Sequence, residues 1–284
     1  MNLDNTFQNK STFRRLVLFT LIIFLFLILS GLCVTYLNLE TILNVGFLLV
    51  FTSIFTFLFP CILFFRFQNI NFYKGLKINL NLNRHMILLM ISIMIFILPF
   101  ISYVAQINEI IILNLPERFS SIQHNLIELE ERLQQTIENF LVMNTIYDLL
   151  LNLFLIAIMP AFLEEIVFRG VYQQELSRIF NCHIAIIITS LLFSLIHMQF
   201  FGFFPRFFLG IVLGYLFYYS QNLLMPIIGH FLNNAFVILS FYFINTDEIL
   251  PQEIRLTEAF FSLSIVLMFF YLYIKLSENK FQGT

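Results

Sequence analysis

Long apolar runs, separated by short polar stretches, extend through most of the chain. A helix needs about 20 mostly apolar residues to cross the roughly 30 Å hydrocarbon core of a bilayer. Runs of that length predict about eight spans. These spans lie near residues 16–37, 41–65, 86–105, 146–168, 184–203, 206–220, 223–244 and 259–275. The pattern therefore predicts an all-α fold and a polytopic membrane protein.

The longest polar interruption, residues 106–143, has a different pattern. Apolar residues recur in it at spacings of three and four, at Ile122, Leu126, Leu129, Leu133, Ile137 and Phe140. This spacing is typical of an amphipathic helix. We expect a helix that lies on the bundle or at the lipid surface, and a gate or a partner-binding helix is the alternative.

Composition agrees with a membrane location. Of the 284 residues, 60% are apolar and 11% are charged, against roughly 45–50% and 25% in soluble domains. These values exclude a soluble globule, and the formal charge of -2 provides no basic field for nucleic acid. Cys33, Cys61 and Cys182 lie far apart and form no CxxC motif, which favours buried thiols over a disulfide or a metal site.

The distribution of Lys and Arg predicts the orientation of the chain. With a cytoplasmic N-terminus, 11 of the 15 Lys and Arg residues fall on the cytoplasmic side. The other four, Arg118, Arg132, Arg206 and Arg255, fall outside. The positive-inside rule then places both termini in the cytoplasm. Because the bias toward Phe and Asn suggests an AT-rich bacterial genome, we expect a multi-pass protein of a bacterial inner membrane.

The fourth predicted span contains three charged residues, Glu164, Glu165 and Arg169. An ionisable residue inside a span costs at least about 2.5–3.5 kcal/mol on insertion scales, so such residues face a bundle interior and are functional candidates. Glu165 and Arg169 are one helical turn apart, which favours an ion pair. Glu164 points about 100° away and is free for another role. Pro160 lacks an N–H group and predicts a local opening of the helix.

Two further spans carry polar residues at one-turn spacings. His197 follows Phe193 by one turn on the fifth span, and Asn234 follows His230 by one turn on the seventh. A single site of this kind is as readily a helix-packing hydrogen bond as a functional group. Three such sites, all inside lipid, favour a functional constellation.

Depth in the membrane constrains this interpretation. If the fourth span ended at Arg169 and the fifth began near His183, His197 would lie about 20 Å deeper than Glu164, at 1.5 Å per residue. The two residues could not then meet at one site. We therefore expect the fourth helix to continue as far as Gln174.

The order of the three motifs resembles the CPBP family of intramembrane glutamate proteases, which includes CAAX proteases of the Rce1 type and bacteriocin-processing or immunity proteins. The motifs read Glu164, Glu165 and Arg169, then Phe193 and His197, then His230 and Asn234. The resemblance covers about residues 160–240. It implies an Rce1-like helical bundle and an intramembrane endopeptidase that acts on a membrane-associated protein or peptide without a cofactor.

The resemblance also implies a role for each motif. Glu164 and His197 would hold and deprotonate the attacking water. His230 and Asn234 would donate to the oxyanion, a contribution of roughly 2.7–4 kcal/mol per donor in other enzymes. The remaining glutamate and arginine of the first motif, Glu165 and Arg169, would orient these groups and balance their charge.

Other interpretations of the same residues remain open. Glu164, His197 and His230 could bind zinc as a membrane hydrolase, although the chain has no HExxH motif. A non-enzymatic protein that sequesters a bacteriocin-like peptide and a proton-coupled transporter are the other two. In each case we expect one integrated membrane domain in three parts. They are 1–145 with the N-terminal spans and an extracytoplasmic amphipathic helix, 146–245 with the catalytic core, and 246–284 with the final span and tail.

Overall fold

A computed structural model describes residues 3–37, 45–243 and 254–282 of the chain. Within these ranges the chain forms helices and no strand, which confirms the predicted all-α class. The principal helices are α1 (Leu3–Tyr36), α2 (residues 45–67), α3 (Arg84–Phe96), α4 (Leu98–Leu113), α5 (Ser120–Leu141), α6 (Ile146–Leu176), α7 (Cys182–Leu195), α8 (Phe203–Ser220), α9 (Leu224–Phe243) and α10 (Leu256–Gln282).

Seven helical segments of the described ranges are long and apolar enough to cross a membrane. They are α1, α2, the nearly continuous pair α3 and α4, and α6, α8, α9 and α10. The polytopic character of the protein is therefore confirmed. The predicted start of the second span at 41, the end of the seventh at 244 and the domain boundary after 245 lie outside the described residues.

The fifth predicted span, 184–203, is wrong in its extent. Helix α7 has only 14 residues and ends at Leu195. The chain then turns through Met198, whose φ of 52° is left-handed, and forms one tight turn at Phe200–Gly202 before α8 begins. Apolar composition predicted a helix here because it does not distinguish a spanning helix from a packed apolar turn.

The amphipathic helix predicted within 106–143 is present as α5. Its apolar stripe is only partly covered, because Leu126 and Leu133 are half-buried while Ile122, Leu129 and Ile137 are exposed. The side chain of Phe140, which the prediction placed in the same stripe, lies outside the described side chains. Helix α5 therefore rests on the bundle with much of its apolar face open.

Helix α6 is the central element of the bundle. Its middle part, Met159–Val167, packs against α2 on one side and α9 on the other, and its final turns contact α7. The resulting core is almost free of solvent: Ile166 and Phe19 are 0% exposed. Two wide π-helical turns, Leu153–Ile158 and Phe168–Gln173, lie on either side of this middle part. Such turns occur often at functional sites in helices.

Helices α7 and α8 approach each other closely because α8 carries glycines at the contact. A Cβ atom on Gly210 would lie 2.9 Å from Cβ of Ser190 and 3.1 Å from its Cα. At this separation the backbone carbonyls of Gly210 and Gly214 reach side chains of α6. The close packing therefore supplies acceptors to the buried polar residues of the central helix.

Candidate functional site

The three sequence motifs meet where α6, the end of α7 and α9 come together. Glu165 is completely buried, and its Oε1 accepts hydrogen bonds from Arg169 Nη1 at 2.6 Å and from His230 Nδ1 at 2.9 Å. The predicted pairing of Glu165 with Arg169 is confirmed. The second bond joins the first motif to the third, which the sequence had not predicted.

Arg169 is fully buried, so its positive charge requires partners within the bundle. Besides Glu165, it donates from Nη2 to the carbonyl oxygen of Gly210 at 2.9 Å. Its guanidinium carbon lies 4.9 Å from the centre of the Phe193 ring, within the range of a cation–π contact. Arg169 therefore connects α6 to both α7 and α8.

Glu164 faces His197 across a short gap. The distance from Glu164 Oε2 to His197 Nε2 is 3.7 Å, longer than a hydrogen bond. His197 Nδ1 lies 2.8 Å from the carbonyl oxygen of Phe193, which can only accept, so Nδ1 carries the hydrogen. In the neutral ring, Nε2 then presents its lone pair toward Glu164. Two acceptor atoms thus face each other.

The predicted continuation of the fourth helix is confirmed, because α6 extends to Leu176. His197 lies in the turn that follows α7 and not within a helix. The predicted depth difference of about 20 Å therefore does not arise, and Glu164 and His197 are neighbours.

The ring of Phe193 packs against both histidines of the site. Its ring centre is 5.2 Å from that of His197 and 5.5 Å from that of His230, with steep angles between the ring planes. Edge-to-face contacts of this kind fix the orientation of both imidazoles. The second motif therefore supplies a packing surface as well as a histidine.

Asn234 lies one turn after His230 on α9 and is half-buried. Its Oδ1 accepts a hydrogen bond from Asn233 Nδ2 at 3.3 Å. Within the described part of the chain, Asn234 forms no hydrogen bond with the other predicted site residues. The structure thus brings Glu164, His197, Glu165, Arg169 and His230 into two contacting groups and places Asn234 on the same helix as His230.

Sequence reasoning missed the residues that hold the turn after α7. Asn108 of α4 is only 2% exposed, and its Nδ2 donates to the carbonyl oxygens of Phe200 and Phe201, both at 2.8 Å. Its Oδ1 accepts from the backbone N–H of Phe204 at 3.2 Å. An asparagine inside an apolar helix was the available signal, but one residue does not identify its partner.

Arg206 binds the same turn from α8. It donates from Nη1 to the side-chain oxygen of Gln199 at 2.7 Å and from Nη2 to the backbone oxygen of that residue. A Cβ atom on Gly202 would lie 2.6 Å from the guanidinium nitrogens, so a larger residue there would displace the end of the Arg206 side chain. In the sequence, Arg206 is marked only as an extracytoplasmic charge.

Two cavities border this region. An apolar cavity of about 520 Å³ lies beside the middle of α6, between α1, α2 and α7, and includes Phe168 and Ile196 in its walls. A polar cavity of about 710 Å³ lies under α5 and is lined in part by Gln199, Arg206 and Glu130. Burial raises the pKa of Glu130, and Glu109 adds to the shift while Arg206 opposes it.

The zinc alternative requires several ligands around one point. Among the described residues there is no group of three or more His, Cys, Asp or Glu side chains that could hold a metal ion. Of the three ligands named for zinc, Glu164 and His197 face each other, whereas Nδ1 of His230 is bonded to Glu165.

The fold and the site together define a polytopic membrane protein with a buried glutamate–histidine site. Residues 146–236, which include every predicted site residue, match the family model described as Type II CAAX prenyl endopeptidase Rce1-like. This match supports the resemblance to Rce1-like CAAX proteases that was inferred from the motifs.

A curated relative supports the same conclusion. Over 104 residues the chain is 35% identical to the membrane-embedded CAAX protease MroQ of Staphylococcus aureus (strain USA300). The similarity covers 34% of this chain and 41% of that protein, so the chain matches less than half the length of the relative. No solved structure matches the chain.

Proposed function

We propose that this protein is a membrane endopeptidase of the CAAX-protease type that hydrolyses a peptide bond of a membrane-associated protein or peptide. The observation that carries the proposal is the 3.7 Å separation of Glu164 Oε2 and His197 Nε2. His197 Nε2 is an acceptor in the neutral ring, and Glu164 Oε2, an acceptor in the carboxylate form, is buried with no hydrogen-bond partner. One water molecule that donates to both atoms satisfies them together.

In this mechanism, Glu164 is the general base and His197 orients the water. The water oxygen attacks the scissile carbonyl carbon while one of its protons passes to Glu164. The C–N bond then breaks as the tetrahedral intermediate collapses, and the proton on Glu164 passes to the departing amine. Atoms and charges balance without a further reactant, and such a positioned base contributes typically about 10²–10⁴-fold.

The third motif supports an oxyanion site. His230 donates from Nδ1 to the carboxylate of Glu165, so a second donation from Nε2 requires the imidazolium form, in which both nitrogens carry hydrogen. The carboxylate of Glu165, which also accepts from Arg169, holds this face of the ring in place. The amide of Asn234, one turn away, is the second donor.

The apolar cavity beside α6 suggests where the substrate lies. Its walls include residues from the same turn of α6 as Arg169 and from the turn that carries His197. An apolar segment of a membrane-associated substrate would gain burial there while its peptide bond reaches Glu164. The polar cavity beside Arg206 provides a hydrated space on the other side of that turn.

The decisive experiment compares membrane peptides from a deletion strain that expresses wild-type protein, Glu164→Gln or Glu117→Gln. Glu117 is an exposed glutamate in the turn before α5, it lines neither cavity, and it is the matched control. We expect new peptide termini with wild type and with Glu117→Gln, and none with Glu164→Gln. If Glu164→Gln restores the wild-type phenotype to the deletion strain without producing new termini, the protein sequesters its peptide and the protease proposal is wrong.

A chelator tests the zinc alternative with the purified protein and the peptide identified in that comparison. Under the proposed mechanism, cleavage continues in the presence of the chelator. Loss of cleavage that is restored by zinc would replace the glutamate mechanism by metal hydrolysis.

A further inference from the structure

A second polar cavity lies away from the glutamate–histidine site, at the ends of α6 and α8. Its volume is about 310 Å³, several times the roughly 30 Å³ that a water molecule occupies in the liquid. It is lined by Lys77 and by residues near the last turns of the two helices, among them Gln173, Arg178, Tyr218 and Gln221. Because α6 and α8 are long and apolar enough to cross a membrane, we expect their ends to lie near its surface.

Lys77 is held in place from several directions. Its backbone is left-handed, with a φ of 55°, and its carbonyl accepts a hydrogen bond from the N–H of Leu223. Its Nζ donates to Gln221 Oε1 at 2.6 Å and lies 5.7 Å from the centre of the Phe217 ring. An ammonium group has three N–H donors, so the bond to Gln221 uses only one of them.

The charges around the cavity are positive. Burial lowers the pKa of Lys77, and the positive charge of Arg178 lowers it further. Within the described residues, no carboxylate oxygen lies within 4.0 Å of Lys77 Nζ. Glu175, two residues after Gln173 on α6, pairs with Arg15 at 2.8 Å and with Arg178 at 3.3 Å. This glutamate is therefore already matched by two cations.

Gln173 provides an independent sign of a ligand. It lines the cavity, is only 3% exposed, and donates from Nε2 to the carbonyl of Gly214 at 2.9 Å. Its Oε1 is buried and has no hydrogen-bond partner. A buried acceptor of this kind is costly unless a donor satisfies it. A ligand with an anionic group for the cations and a hydroxyl for this oxygen fits both requirements.

We propose that this cavity binds a phosphate-bearing anion with an adjacent hydroxyl, such as the headgroup of an anionic phospholipid or a free phosphate ester. Basic pockets between helices at the headgroup level are suited to such ligands, since the phosphate is the abundant anion at that depth. The charge count predicts that this end faces the cytoplasm, where the surface is negative. The site is independent of the proposed proteolysis.

The test is native mass spectrometry of the full-length protein in a neutral detergent, with short-chain phosphatidylglycerol as the probe. Phosphatidylcholine with the same chains controls for the tails, and glycerol 1-phosphate represents the free ester. Lys77→Gln and Arg178→Gln remove the two cations of the cavity. Lys74→Gln is the matched control, because Lys74 is exposed three residues before Lys77 and does not line the cavity.

We expect saturable binding of phosphatidylglycerol but not of phosphatidylcholine. Each cavity variant should weaken binding by about fivefold to tenfold, and Lys74→Gln by less than about twofold. Competition by glycerol 1-phosphate at equal concentration would identify a free phosphate ester as the ligand, and lack of competition would identify the lipid. If Lys74→Gln weakens binding as much as Lys77→Gln, or if no saturable binding occurs, the proposal is wrong. Arg178→Gln, at an exposed side chain, keeps the test valid if Lys77→Gln fails to fold.

Discussion

At the scale of single residues, the adjacent glutamates of α6 have opposite surroundings. Glu165 is sealed between a guanidinium and an imidazole, whereas Glu164 retains a side-chain exposure of 14% and faces a second imidazole across a gap. The difference follows from the helix, which turns neighbouring side chains about 100° apart. The surroundings suit Glu165 to organising the site and Glu164 to chemistry.

Exchange of each glutamate for glutamine should separate these roles. Glu165→Gln leaves Arg169 as an unpaired buried charge, which costs about 3–5 kcal/mol. Glu164→Gln removes no observed hydrogen bond, so we expect its free energy of unfolding to change by less than about 1 kcal/mol. Thermal unfolding in detergent measures both variants. A larger loss of stability in Glu164→Gln would show that the two roles are exchanged.

The third motif gives a second prediction at this scale. Asn234→Ala should lower turnover by about 10²–10³-fold with little change in KM, because an oxyanion donor acts mainly in the transition state. His230→Ala should lower both turnover and stability, since it also breaks the bond to Glu165. The measurement is kcat and KM on the identified substrate, with thermal unfolding in parallel. Full activity of Asn234→Ala would remove this residue from the mechanism.

At the scale of elements, the turn between α7 and α8 determines the position of His197. This turn is anchored from outside by Asn108 of α4 and Arg206 of α8, and only one bond of the imidazole, to Phe193, belongs to α7 itself. Helix α4 therefore affects the site although it contributes no predicted catalytic residue. A histidine on a turn depends on such anchors more than one inside a helix does.

Loss of the α4 anchor should disturb catalysis as well as stability. Asn108→Ala removes the bonds to the carbonyl of Phe201 and from the N–H of Phe204, at about 1–3 kcal/mol for each group left unpaired. The carbonyl of Phe200 keeps its bond from the N–H of Phe203. A displacement of His197 by about 1 Å would cost up to about 10²-fold in kcat. Hydrogen exchange of residues 196–203 should rise together with the loss of activity. The control is Asn114→Ala, because Asn114 is exposed and bonds only its own helix.

If Asn108→Ala lowers stability while kcat and the exchange of residues 196–203 stay at wild-type values, the asparagine supports packing alone. The position of His197 would then depend on Phe193 and Arg206.

At the scale of the whole molecule, the orientation in the membrane determines which compartment each cavity meets. The charge count predicts that α5 lies outside and that the turn before α3 lies in the cytoplasm. In a variant without the three native cysteines, Gln135→Cys should react with a membrane-impermeant thiol reagent in whole cells. Leu80→Cys, at a residue that is 85% exposed, should react only after permeabilisation. The reverse pattern would invert the predicted topology.

The domain division expected from the sequence, with boundaries after 145 and 245, remains a prediction. Contacts cross the first boundary in several places: α6 packs against α2, α9 against α3, and α8 against α4. This packing is what one integrated bundle requires. The N-terminal helices therefore form part of the walls around the site, although no motif marks them.

The sequence alone determined the features that depend on neighbouring residues. Apolar runs of sufficient length predicted the spans, and the four-residue spacing of Glu165 and Arg169 predicted their ion pair, because helical geometry is set within one segment. The continuation of α6 as far as Gln174 was expected for another reason, because the roles implied for Glu164 and His197 require both residues to lie at one depth. Span length and helical spacing are local, one-dimensional constraints.

Only the tertiary structure decided the contacts between helices. The bond of His230 to Glu165, the anchoring of the turn by Asn108 and the carbonyl of Gly210 at Arg169 all join segments far apart in sequence. Apolar helix faces in lipid carry little information about their partners, because lipid tails are as apolar as the side chains themselves. Close packing at small residues and satisfaction of buried polar groups select the arrangement, and both are properties of the assembled bundle.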